Sequence, residues 1–149
     1  MKYIIGIDPD SDRHGVAIYE DGKLHKMLGF TLIELWEHIS VIGSDNIEVH
    51  MENVCGNNAA FQKKGIHNAR AGNNVARSLG KCQQSQIELE RLFKYMGINV
   101  VLHPISKNWK DSKVGIKAFK HYTGWSKQSN EDTRSAAYFG WLGCQNGIS

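Results

Sequence analysis

Long apolar runs are missing from this 149-residue chain: no stretch approaches the length that crosses a bilayer, and there is no signal-peptide layout. Cysteine is scarce. Cys55, Cys82 and Cys144 are an odd number without CxxC spacing, and none of the seven scattered histidines pairs with them at zinc-finger spacing. A disulfide framework and a zinc finger are thereby disfavoured, and reduced, partly buried thiols in a cytoplasmic protein are expected. Internal repeats, low-complexity segments and linkers are absent too, so residues 1–149 read as a single domain with one core. Neither charge sign dominates. A net charge of +3 and a pI of about 8.7 permit a nucleic-acid partner without demanding one.

What is present is an ordered series of strand and helix signals. Residues 2–8 and 14–20 read as strands, separated by the polar turn Pro9–Arg13. Asp21-Gly22 is a hairpin signal leading into a third strand, Lys23–Phe30. Thr31 is suited to cap a helix running to about Ile42, with Leu32, Leu35, Trp36 and Ile39 on one face. Residues 46–52 form a fourth strand, followed by a glycine- and asparagine-rich loop from Cys55 to about Asn68. From Ala69 to Tyr95 the spacing is helical, with a seam of Val75, Leu79, Cys82, Gln86, Leu89, Phe93 and Met96. Gly97 stops it, Ile98–His103 is a fifth strand, and Ser112 or Lys113 opens a short helix to about Tyr122. Asn130 caps a last helix, Glu131–Gly143. The order is that of an α/β fold with a mixed five-stranded sheet flanked by helices.

Three acids stand at telling places on this framework. Asp8 ends the first strand, Glu52 ends the fourth, and Asp132 opens the last helix. A carboxylate buried alone is costly, so it usually has a cation or hydrogen bonds. Three of them far apart in sequence suggest one metal-binding cluster assembled by folding. Taken singly, each has a structural reading as well: a cap, a salt-bridge partner or, for Asp132, a charge at a helix N-terminus.

Gly6-Ile7-Asp8-Pro9 followed by Gly15-Val16-Ala17-Ile18 resembles the first motif of RuvC-type Holliday junction resolvases, of the ribonuclease H-like fold. Met51-Glu52-Asn53-Val54 is similar to the second motif, and Leu79-Gly80 to a step in the family's long helix. Asp132-Thr133-Arg134-Ser135-Ala136-Ala137 resembles the end motif, two aspartates three residues apart before small and apolar residues. Order and spacing agree along nearly the whole chain. Two departures matter: Ser135 stands where the second aspartate would be, and Asp10 replaces a usual glycine. Asp132 and Ser135 share a helix face, so Ser135 is left to hold a metal-bound water while Glu131 or Asp10 supplies the missing charge. Loss of activity is the other outcome.

The resemblance implies a Mg²⁺-dependent endodeoxyribonuclease of DNA recombination and repair, resolving four-way junctions by paired phosphodiester hydrolysis. Two Mg²⁺ ions per site, with Mn²⁺ able to substitute, would activate water and stabilise the transition state and the leaving oxygen. Magnesium keeps several waters, so a few carboxylates suffice. Asp8 would bridge both ions, with Glu52 on one and Asp132 on the other; Glu131, Ser135 and Asp10 are the further candidates. Lys107, Lys110, Lys113, Lys117 and Lys120 recur at steps of three and four, either a solvated face or a phosphate-binding one. The resemblance places Lys110 near the scissile phosphate as a fourth catalytic group. The resemblance implies an aromatic wedge directly after the second motif, where Cys55 stands here; Phe61, beside Lys63 and Lys64, is either a displaced substitute for it or an ordinary loop anchor. Arg70 and Arg77 face either DNA or a partner subunit. Two symmetric cuts imply a homodimer; the 75–96 seam is long enough for intramolecular packing and part of an interface, with Gln86 either a register-setting polar residue or a surface one.

Other functions fit parts of the pattern. A catalytically impaired branched-DNA binding protein would explain Ser135. A related ribonuclease H-like nuclease acting on RNA or RNA–DNA hybrid shares the acids. An actin-like ATPase also uses a strand, an aspartate and a hairpin, but needs two such domains and a longer chain.

Overall fold

The computed structural model describes residues 1–56 and 69–146. In chain order they form β1 (Tyr3–Asp8), β2 (His14–Glu20), β3 (Lys23–Phe30), α1 (Leu32–Ile42), β4 (Ile47–Glu52), α2 (Ala69–Met96), β5 (Asn99–His103), α3 (Val114–Thr123) and α4 (Glu131–Asn146). The strands make one mixed sheet in the order β3-β2-β1-β4-β5. Antiparallel pairing joins β1 to β2 and β2 to β3, whereas β4 lies parallel to β1 and β5 parallel to β4. The fold class expected from the sequence is the one observed.

Local chemistry explains the joints. Asp21 and Gly22 both take positive φ, 49° and 86°, as a tight hairpin with the twist of its strands requires. Thr31 and Glu34 form a reciprocal capping box: Glu34 N–H donates to Thr31 Oγ1 and Thr31 N–H donates to Glu34 Oε1. Asn130 and Thr133 repeat this exchange at the start of α4. The helix α3 begins at Val114, next to the expected Lys113, and its cap comes from further back. Asp111 caps it, its carboxylate accepting from the N–H groups of Lys113, Val114 and Gly115. One side chain thereby satisfies three amides that the first turn leaves without a partner.

The sheet divides two apolar layers. On one face Ile5, Ile7, Val16, Ile18, Val49 and Met51 pack against Leu35 and Ile39 of α1 and Leu89 and Phe93 of α2. Trp36, expected on the buried face of α1, is 46% exposed, because Leu35 and Ile39 fill that contact. On the other face Ile4, Ala17 and Tyr19 meet Ala136 and Ala137 of α4, with Trp109 and Phe119 beyond. Tyr19 O–H donates to the Ala137 carbonyl at 2.6 Å, tying α4 to the sheet.

On this second face α4 lies directly on the backbone of β1 and β2. A Cβ at Gly6 would overlap the Ala136 carbonyl and the backbone of Gly140, and one at Gly15 would overlap the Asp132 carbonyl. Only a residue without a side chain fits at either crossing. Gly6→Ala is therefore expected to cost about 3 kcal/mol, an overpacking that neighbouring backbone cannot relieve. Urea denaturation measures it as a lowered midpoint at constant m-value; an unchanged midpoint would mean that α4 is free to lift.

Candidate active site

The close crossing of α4 brings the three strand- and helix-end acids to one mouth. Asp8, Glu52 and Asp132 line a common cleft of about 510 Å³ with Asp10, Lys107 and Lys110. β1 and β4 are parallel neighbours, so Asp8 and Glu52 leave the same end of the sheet; both are buried, at 7% and 6% exposure. Asp132 joins them from the first turn of α4, beside Gly15.

The electrostatics are those of crowded negative charge. Burial pushes the Asp8 carboxyl above its usual range; Lys110 and the Ser135 hydroxyl pull it back, and Asp132 and Asp10 raise it again. Asp132 is likewise raised, first by burial and then by Asp10, with Lys110 opposing and Glu131 adding to the rise. Lys110 Nζ lies 3.6 Å from Asp8 Oδ2. Burial disfavours its charge, but Asp8, Glu52 and Asp132 more than offset this and hold the ammonium protonated above its usual range. Asp8 Oδ2 and Ser135 Oγ make no hydrogen bond of ordinary geometry among the described residues.

This donor set fits a hard divalent cation. A buried carboxylate with a raised pKa and an oxygen lacking a hydrogen bond is short of positive charge. The neighbouring thiol does not compete: burial, then Asp10 and Asp8, raise Cys82 and keep it protonated, so the cleft presents oxygen donors. Among the described residues, no three His, Cys, Asp or Glu side chains already converge at metal-ligating spacing.

Most of the residues expected at the site are found around it. Asp10 sits on the cleft wall, its Oδ1 accepting from Ser11 N–H and facing Cys82 Sγ at 3.9 Å. Glu131 is exposed near Asp132, and Ser135 is buried facing Asp8. Lys107 lines the cleft, while Lys113, Lys117 and Lys120 lie exposed at the start of α3 and along it. Arg77 is exposed on α2. Phe61, Lys63 and Lys64 lie outside the described residues, as does the side chain of Arg70.

Gln86 departs from the sequence reading. It is buried against the residues that follow Glu52, where its Oε1 accepts from Val54 N–H at 2.7 Å and Cys55 N–H at 3.1 Å. Its Nε2 donates to Asn53 Oδ1, and Gln83 Nε2 donates to the Val54 carbonyl. The two glutamines fasten the exit of β4 to α2; a polar residue inside an apolar helical seam was the one sign of this. His50 and His103, side by side on the sheet face that carries Glu52, were not singled out either. His50 Nε2 lies 2.6 Å from Glu48 Oε1 and His50 Nδ1 2.8 Å from His103 Nε2. They brace the β4–β5 pair beneath the cleft.

No protein-family model matches the chain, and no curated protein matches it either. Among solved structures, Thermus thermophilus RuvC in complex with a Holliday junction substrate is similar at a TM-score of 0.60 and 12% identity, covering 95% of this chain and 91% of that one. Another structure of T. thermophilus RuvC is similar at a TM-score of 0.56 and 10% identity, covering 93% and 91%. The likeness is one of fold: this chain has the ribonuclease H-like architecture of RuvC.

The raised carboxyls carry a stability consequence. Folded protein binds the Asp8 and Asp132 protons more tightly than unfolded chain does. Stability from these groups is thus present below the ordinary aspartate range and lost as pH climbs through the raised values. Asp8→Asn should raise Tm at neutral pH in EDTA, with the advantage shrinking as the pH is lowered. A lower Tm for the variant at neutral pH would show that its ion pair with Lys110 outweighs burial.

Proposed function

We propose that this chain is a structure-selective endodeoxyribonuclease that resolves four-way DNA junctions by paired, metal-dependent phosphodiester hydrolysis. The observation that carries the reading is the convergence of Asp8, Glu52 and Asp132 on one cleft beside a protonated Lys110. The fold it shares with a protein solved on a Holliday junction supports the choice of substrate.

Asp8, Glu52 and Asp132 are the residues that hold Mg²⁺ or Mn²⁺, with Ser135, Asp10 and Glu131 around them. When bound, two ions supply an activated water and charge stabilisation for the attacked phosphate and its leaving oxygen. Lys110 places a fixed cation at the mouth of the cleft, where charge develops on the phosphoryl oxygens. Lys107 extends that positive edge, and Lys113, Lys117 and Lys120 offer phosphate contacts that orient the duplex arms without reading sequence. A homodimer would present two such clefts to the two symmetric strands of a junction.

A second reading, a branched-DNA binder with an impaired site, is favoured by Ser135, which leaves the end motif with one acid. Incubation with a labelled four-way junction and a matched linear duplex, in Mg²⁺ and in EDTA, separates the two. Paired symmetric nicks on the junction alone, lost in EDTA and in Asp8→Asn while binding persists, are expected. A gel shift with no cleavage in either condition would make the chain a binder. Ser135→Asp should raise the cleavage rate or lower the Mg²⁺ concentration giving half-maximal rate. No change in either would place Ser135 outside the metal shell.

A further inference from the structure

Lys110 reaches Asp8 from an improbable piece of backbone. Trp109, the residue before it, holds φ at +67°, a left-handed conformation that costs energy for any residue with a Cβ. Two things oppose that cost. The indole is buried among Phe119, Tyr122, Tyr138 and Trp141, with ring centroids 5.3–6.1 Å away. The second is Arg134, on the same helix as Asp132.

Arg134 is only 4% exposed. Its Nε donates to the Trp109 carbonyl at 2.9 Å, one terminal nitrogen to the Lys110 carbonyl at 2.6 Å, and the other to Ser129 Oγ at 3.0 Å. None of these three acceptors is a carboxylate. A guanidinium placed near a helix N-terminus also opposes the macrodipole, so its position there calls for a compensating task. A planar fork can span two successive carbonyls and fix the peptide between them, which a single ammonium cannot.

We propose that Arg134 is a positioning residue, its fork on the Trp109 and Lys110 carbonyls holding the strained turn that delivers the Lys110 ammonium to Asp8. One helix thereby sets two groups of the cleft: Asp132 directly, and Lys110 at one remove through the arginine two residues further on. The kinetic part of this role rests on the nuclease reading; the placement of Lys110 does not.

The test compares wild type with Arg134→Lys and Arg134→Met, the second removing the buried charge together with its donors, each checked by circular dichroism. Trace acylation read by peptide mass spectrometry should label Lys110 several-fold less than exposed Lys113 in wild type, and equally in either folded variant. Junction cleavage should slow about ten- to a hundredfold in kcat, as misplacement of a catalytic group does. KM should hold, and the loss should vanish when the variant is built on Lys110→Ala. Unchanged Lys110 labelling in a folded variant overturns the proposal. So does a loss that adds to that of Lys110→Ala, or failure of both variants to fold, which would assign the arginine to stability. If wild type cleaves no junction, the nuclease reading fails and the labelling alone decides the placement.

Discussion

The close contact between α4 and the middle of the sheet governs this molecule. The helix lies on β1 and β2 at backbone distance, at crossings where glycine stands at positions 6 and 15. A larger residue at either point would lift the helix, and three separate things would move together. Tyr19 would lose its bond to the Ala137 carbonyl, Asp132 would draw back from Asp8, and Arg134 would leave the Trp109–Lys110 turn. Packing and chemistry therefore rest on the same interface.

That arrangement concentrates charge where a stable core would have none. Two acids near full burial, a third at the rim and one half-buried lysine leave the cleft short of positive charge. Such a site lowers the stability of the empty fold and rewards whatever cation arrives. The rest of the chain offsets this cost in ordinary ways: two apolar layers, reciprocal caps on α1 and α4, and glutamines that fasten β4 to α2.

Much of this was legible in the sequence, and the reasons divide cleanly. Alternation and turn chemistry act locally, so β1 to β5, the Asp21-Gly22 hairpin and the Thr31 and Asn130 caps could be read from neighbouring residues. Asp8, Glu52 and Asp132 were legible because each sits at an element's end, where topology rather than side-chain packing sets its place. What escaped depends on partners distant in sequence. Whether Trp36 or Leu35 fills the core is decided by α2, and whether Gln86 faces a partner or the exit of β4 is decided by residues 53–55. The task of Arg134 leaves no mark in the sequence, since its acceptors are carbonyls and any residue supplies those.

The span of the cleft also fixes an order of events during synthesis. Its first acid is at position 8, its second at 52 and its last at 132, on the final helix described. Strands β1 to β3 pair through nearby hairpins and can form while the ribosome is still extending the chain, at roughly 5–20 residues per second. Glu52 then adds a second carboxylate to a half-covered sheet. Asp132 and the clamp on Lys110 emerge together and only afterwards. A chain grown only as far as α3 carries most of the scaffold but none of the finished cleft, so whatever reactivity the cleft confers is withheld from any product that stops short of α4.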